Sequence, residues 1–280
     1  EGTFDDGQAI VKEIFNELDF KKEFHLGAIN SINWARVLAQ VVYYVYSCLH
    51  VVDHENDKAM DFSIPTGNFG DIFAGYIAKQ LLPEGTIRRL FLATNSNDIL
   101  SRFVNNGDYS KAEVKSTTSP SMDIQAASNF ERYLYYLLDK SPEATAEAML
   151  KFAETGGLDL RDHCDQIKRD FGAVAVSEPQ VLATIKEFQS EYGYVLDPHT
   201  AIGVFAGLQN QQKNIPMVCL ATAHPAKFGD TVKTATGEEA ELPEAIKKII
   251  NKESRCELMP ADSEKIKEYL KSHALTKIDE

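Results

Sequence analysis

Three features of the chain predict an α/β fold. Short apolar runs at residues 60–64, 89–94, 172–176 and 217–221 alternate with longer stretches whose apolar residues recur at helical spacing. A glycine-bearing turn at residues 65–71 joins the first run directly to a helical segment, in the order strand, loop, helix. No repeat period or low-complexity tract breaks this alternation over 280 residues, and 44% apolar content can supply a buried core.

The elements follow in order. Residues 5–18 place Ile10, Val11, Ile14, Phe15 and Leu18 on one face, which predicts an amphipathic helix ending near Asp19. Residues 31–52 carry Val, Ala, Leu and Tyr on most sides, so a second helix is expected inside the core rather than on the surface. The run 60–64 is a short strand, and the helix beyond the glycine turn passes through Ala74, Ile77, Ala78 and Leu81. Residues 89–94 read as a buried strand, 97–106 as a helix, and 117–127 as a polar loop longer than a connection needs. Helices at 128–139 and 142–154 precede a small-residue strand at 172–176; helices at 178–192 and 200–212 precede a buried strand at 217–221. The tail is expected to form an edge strand over 256–259 and a closing helix over 261–273.

Composition narrows the function. A net charge of −13 leaves no basic stripe to neutralise a phosphate backbone, so nucleic acid is not an expected partner, and any anionic ligand needs locally arranged donors. The longest apolar stretch, residues 37–52, contains Gln40, Ser47 and His50 and is too short and polar for a membrane span. The acidic opening Glu1-Gly2-Thr3-Phe4-Asp5-Asp6 is not a secretory signal. Cys48, Cys164, Cys219 and Cys256 are scattered without a CxxC pair and read as reduced thiols of a cytoplasmic protein. His50 and His54 lie four apart but lack a third ligand, so they read as a solvated helix end and no metal site is expected.

The stretch Ser63-Ile64-Pro65-Thr66-Gly67-Asn68-Phe69-Gly70-Asp71 carries the most chemistry. Glycines between a strand's carboxyl end and a helix start let backbone N–H groups converge, and the helix dipole adds positive potential there, so a phosphate can bind without a lysine. Asp71 is expected to cap the helix through first-turn N–H groups. By spacing alone the same turn serves equally as a plain strand-to-helix connection. Thr222 follows the strand at 217–221, at the end where α/β sheets gather ligands, but is also placed to cap a helix through Ala226. His199 and His224 read as hydrogen-bonded structural histidines, and Glu131 and Arg132 as helix residues paired with neighbours.

Pro65-Thr66-Gly67-Asn68-Phe69-Gly70-Asp71 resembles the phosphate loop of the threonine synthase family, fold-type II pyridoxal-phosphate enzymes. The resemblance continues in the same order through Asn30-Ser31-Ile32-Asn33-Trp34-Ala35-Arg36, Ala93-Thr94-Asn95-Ser96-Asn97-Asp98, Ser119-Pro120-Ser121-Met122-Asp123-Ile124 and Ser128-Asn129-Phe130-Glu131-Arg132. It resumes at Asp197-Pro198-His199-Thr200-Ala201 and Thr222-Ala223-His224-Pro225-Ala226-Lys227-Phe228. The resemblance implies a three-layer, parallel-sheet domain of the tryptophan synthase β-like class. It implies pyridoxal 5'-phosphate as cofactor, held at its phosphate by Gly67, Asn68, Phe69, Gly70 and Asp71, with the Thr222 hydroxyl at the pyridine nitrogen. The implied reaction converts O-phosphohomoserine and water into threonine and phosphate, so the partner is a small phosphorylated amino acid.

One departure is large. Members of the family carry their Schiff-base lysine in a Phe-Lys-Asp tripeptide that this chain does not contain; Lys21, Lys22 and Lys227 lie in other contexts and read as solvated or packing lysines. By the resemblance, residues 1–30 are a remnant of the smaller domain and 31–280 the large cofactor domain, in a chain truncated at its N-terminus. No catalytic residue is assigned. Such a chain is expected to be inactive alone, to bind cofactor weakly or not at all without forming an aldimine, and to self-associate through the exposed face of the 31–52 helix. The alternative is a non-enzymatic truncated product acting by surface contact, as a secreted factor would.

Overall fold

The N-terminal periodicity forms two helices, not one. The structure, a computed structural model, describes residues 4–51, 59–254 and 256–274. Helix α1 (Phe4–Asn16) stops at Glu17, whose ψ of 84° leaves helical geometry, and α2 (Leu18–Glu23) starts afresh. The expected apolar face is therefore corrected at its end: Ile14 is buried, but Leu18 is exposed and Phe20 goes inward instead. The helix expected over 31–52 is α3 (Trp34–Val51), and it is not buried on most sides. Val37, Val41, Tyr44 and Cys48 form one buried stripe, while Leu38, Val42, Tyr46 and Leu49 face solvent.

Strand β1 (Met60–Pro65) shows why the sheet has helices on both sides. Phe62 and Ile64 enter one apolar cluster, while Ser63 donates its hydroxyl to Gly203 O at 2.6 Å from the other face. A strand buried on both faces pairs with parallel neighbours reached by crossovers. Helix α4 (Gly70–Leu81) makes the first crossover, to β2 (Ile87–Thr94), paired parallel from Met60↔Ile87 to Pro65↔Ala93. Next come α5 (Ile99–Asn106), strand β3 (Asp108–Ser110), the polar loop, α6 (Phe130–Leu137) and α7 (Pro142–Thr155). Strand β4 (Gly157–Asp159) pairs antiparallel with β3, a small second sheet that the apolar pattern did not signal because each strand is three residues long.

Helix α8 (Cys164–Asp170) leads to β5 (Phe171–Ala175), parallel to β2; α9 (Glu178–Tyr192) and α10 (Pro198–Asn210) then return to β6 (Met217–Cys219). The main sheet has the order β5-β2-β1-β6, all parallel, with α10 against β1 and a second apolar cluster of Val181, Ile185, Leu196 and Ile202 on its face. This is the expected three-layer architecture. Two strand expectations need correction. The run 217–221 is an edge strand only partly buried, ending at Cys219, although Leu220 still donates its N–H to Ser63 O at 3.0 Å. Residues 256–259 are not a strand: they pair with neither sheet, and Leu258 is 98% exposed. After a short 3₁₀ turn (Pro225–Phe228), α11 (Gly229–Thr236), α12 (Glu244–Lys247) and α13 (Ser263–His273) close the chain, and Lys267 of α13 meets Glu17 at 2.6 Å. Among the described residues no helix is long and apolar enough to cross a membrane, and no group of three His, Cys, Asp or Glu could hold a metal ion.

Candidate functional site

The strand order locates the site before any side chain is considered. The chain leaves β1 on one side for β2 and β5, then returns on the other side as β6, so the loops after β1 and β6 diverge at a topological switch point. Residues 66–69 follow β1 and Leu220 to Thr222 follow β6, and Ser63↔Cys219 registry sets them level. Two stretches more than 150 residues apart in sequence are thereby made neighbours.

Within the first loop, Thr66 is tied to the sheet by its N–H to Ala93 O at 2.8 Å. Phe69 then adopts left-handed backbone geometry (φ 64°, ψ 4°) and α4 begins. Left-handed geometry is costly for a phenylalanine. The Phe69 ring holds it there, edge-on to Phe130 and Phe171 and tilted against Tyr133. The N–H groups of Gly67, Asn68, Phe69, Gly70 and Asp71 then find no protein acceptor among the described residues. Successive unpaired amides around a left-handed residue at a helix N-terminus form an anion-binding concavity.

Gly67 is required for a second reason: a Cβ there would stand 2.8 Å from Ser121 O and 3.2 Å from Met122 Cα, so the polar loop lies directly against it. From the opposite side, Asn129 at the start of α6 donates its N–H to Asn68 O at 3.1 Å and its amide to Asn68 O at 2.9 Å and to Ser31 Oγ at 2.8 Å. Arg132 joins Asn129 Oδ1 at 3.0 Å and lies over the Trp34 ring.

Asp71 does not cap α4; that expectation is corrected. No side chain caps this helix, and Asp71 Oδ1 instead accepts from the Tyr44 hydroxyl at 3.1 Å, which also donates to Asp71 O at 2.8 Å. Burial pushes the Asp71 carboxyl up to about 6 and outweighs the opposing hydrogen bond from Tyr44. The Thr117 and Ser119 hydroxyls of the polar loop are also committed, whereas Thr118 Oγ1 is buried without a partner among the described residues. Thr117 Oγ1 donates to Asp123 Oδ1 at 2.6 Å, and the Asn95 amide reaches Thr117 Oγ1 and Asp123 Oδ1 at 2.8 and 2.7 Å. This network of Asn95, Asn97, Thr117, Ser119 and Asp123 at the carboxyl end of β2 was not assigned from sequence. Its signal there was the density of amides and hydroxyls and the place of Asn95, Asn97, Ser119 and Asp123 in two blocks of the family resemblance.

Comparison with known proteins shows what the chain is similar to. A family profile described as "Threonine synthase, C-terminal" matches residues 200–270. The threonine synthase of Pseudomonas aeruginosa is 42% identical over 278 residues, 98% of this chain and 58% of that protein. That of Schizosaccharomyces pombe is 44% identical over 261 residues, 84% of this chain and 50% of that protein. A crystal structure of pyridoxal phosphate-bound threonine synthase from Brucella melitensis superposes with a TM-score of 0.86 at 42% identity, covering 98% of this chain and 59% of that one. Over nearly all of its length the chain is similar to threonine synthases. It spans 58% and 50% of the length of these two relatives, and its fold is the fold-type II fold of these synthases.

Against this threonine synthase fold the second stretch takes on definite geometry. Thr222 is not a helix cap: the 3₁₀ turn after it is capped by His224, whose Nδ1 accepts from Ala226 N at 3.2 Å. The Thr222 N–H donates to Thr200 Oγ1 at 3.1 Å, and the Thr222 hydroxyl is exposed with no protein partner among the described residues. His199 is buried, with Nδ1 3.1 Å from Asp197 Oδ1 and its ring on Phe228. Lys227 is exposed, its ammonium over the Phe228 ring. His50 stacks on Tyr46 at the end of α3, while His54 lies outside the described residues. The four cysteines stand free.

Proposed function

We propose that the chain supplies the phosphate cradle and the pyridine wall of a threonine synthase that converts O-phosphohomoserine and water into L-threonine and phosphate. The observation that carries the reading is the run of unpaired amides from Gly67 to Asp71 at the switch point of a fold shared with a pyridoxal phosphate-bound relative. The residues fit that cofactor: the amides match a phosphate, and the free Thr222 hydroxyl matches a neutral pyridine nitrogen. When bound, pyridoxal phosphate supplies the electron sink for loss of phosphate from the γ-carbon and addition of water at the β-carbon. Gly67, Asn68, Phe69, Gly70 and Asp71 hold the anchoring phosphate, and Thr222 donates to the ring nitrogen without protonating it. No lysine of this chain is assigned to the Schiff base, which in this reading comes from sequence that the relatives have beyond the matched region.

In the same reading residues 1–30 belong to a smaller domain and 31–280 to the cofactor domain, and the protein works in the cytoplasm. The test is an absorbance titration of the chain with pyridoxal phosphate, with inorganic phosphate as competitor. Thr222→Val, which removes one neutral hydrogen bond of about 0.5–1.5 kcal/mol, should weaken binding and shift the cofactor's absorbance while phosphate competition persists. Binding that phosphate does not displace would sink the cradle assignment, and an unchanged spectrum in Thr222→Val would sink the pyridine wall.

A further inference from the structure

We infer that Asp197, acting through Thr200 and His199, is the positioning residue that clamps both ends of the segment 222–228 at the proposed pyridine wall. This deepens the reading of Thr222 and rests on it for its bearing on the cofactor. Asp197 lies at the start of α10, 1% exposed, and receives four groups from its own helix: the N–H of His199 at 2.9 Å, the N–H of Thr200 at 3.4 Å, His199 Nδ1 at 3.1 Å and the Thr200 hydroxyl. Burial works against its charge, but the hydrogen bonds from His199 and Thr200 outweigh it and hold the carboxyl below the usual range.

An ionised carboxylate has no proton to give, so the direction of every bond around it is decided. Thr200 must donate to Asp197, which turns its lone pair onto the Thr222 N–H at 3.1 Å. His199 must carry its proton on Nδ1, and its ring stands 4.7 Å from Phe228, the last residue of the segment. One buried carboxylate thus fixes the first residue of the segment through a hydroxyl and the last through an imidazole. The edge strand β6 ends at Cys219 and its pairing with β1 at Leu220 N, so the sheet does not hold Thr222; the clamp replaces it. His199 Nε2 is left buried with no partner, consistent with a ring oriented by its other nitrogen.

The test uses amide hydrogen exchange on the 280-residue chain, read at Thr222, alongside the pyridoxal phosphate titration. Thr200→Val keeps the shape and removes the acceptor; Asp197→Asn keeps the shape and lets the Thr200 hydroxyl turn away. Both should speed exchange at Thr222, and Thr200→Ser should restore the original rate. Cofactor affinity should fall roughly 2- to 10-fold in Thr200→Val, the worth of one neutral hydrogen bond, with no further loss when Thr222→Val is added. Circular dichroism that matches the parent verifies that each variant is folded. Unchanged exchange at Thr222 in folded Thr200→Val overturns the clamp. Unchanged cofactor affinity in Thr222→Val alone, with exchange responding as expected, overturns only the pyridine-wall reading and leaves the clamp standing.

Discussion

At the scale of single residues, Asp71 is the group whose environment makes the sharpest prediction. Its folded-state value of about 6 lies above the ordinary 3.8, so the folded chain holds a proton that the unfolded chain has released. The corresponding stability is fully present below about pH 4 and is lost as pH rises through 6. At neutral pH the ionised carboxylate is a cost, on the order of 1–3 kcal/mol after allowing for its partial solvent access. Asp71→Asn keeps an acceptor for Tyr44 without the charge. In urea titrations, the variant should gain stability on its parent between pH 4 and pH 7; a constant difference across that range would show that Asp71 is not buried as charge. The same charge sits in the first turn of α4, beside the amides proposed for phosphate, so the variant should also bind inorganic phosphate no less tightly at pH 7.

At the scale of elements, α4 is presented to its ligand end by a helix far away in sequence. Asn129 is fully buried, and its amide bridges Ser31 before α3 to Asn68 before α4. Asn129→Ala removes the bridge and strands Arg132 Nε, a loss of about 1–3 kcal/mol for buried groups left unpaired. The thermal midpoint should fall, and amide exchange in residues 67–72 should quicken more than in α9, which makes no bond to this junction. Equal quickening in both would mean a global loss of stability rather than release of the loop.

For the whole molecule, the outer face of α3 is the conspicuous feature. Leu38, Val42 and Leu49 are 52%, 60% and 60% exposed, and with Tyr46 they follow one helix face. An apolar stripe of this kind promotes association when nothing covers it. Sedimentation of the chain should show a concentration-dependent shift toward larger species, and Val42→Glu with Leu49→Lys should abolish it while leaving the buried stripe of Val37, Val41 and Tyr44 untouched. A chain that sediments as a monomer at every concentration would show that this face does not drive contact. The sequence suggested burial on most sides of this helix because apolar periodicity reports how many faces are apolar, not which of them finds a neighbour.

The sequence by itself determined the α/β class, the strand-loop-helix at residues 60–81, the approximate ends of α7 and α9, and the family resemblance, because these depend on local periodicity, caps and short motifs. The capping pattern of Ser177 and Gln180 at α9 is local enough to be read in advance. Only the tertiary structure decided that Asp71 faces Tyr44 instead of its own helix, that Gly67 accommodates the backbone of residues 121–122, and that Thr222 hangs from Thr200 rather than capping a helix. It also decided that residues 256–259 join neither sheet. Each of these turns on which distant segment arrives as a neighbour, and that is set by the order in which parallel strands assemble, which no local pattern records.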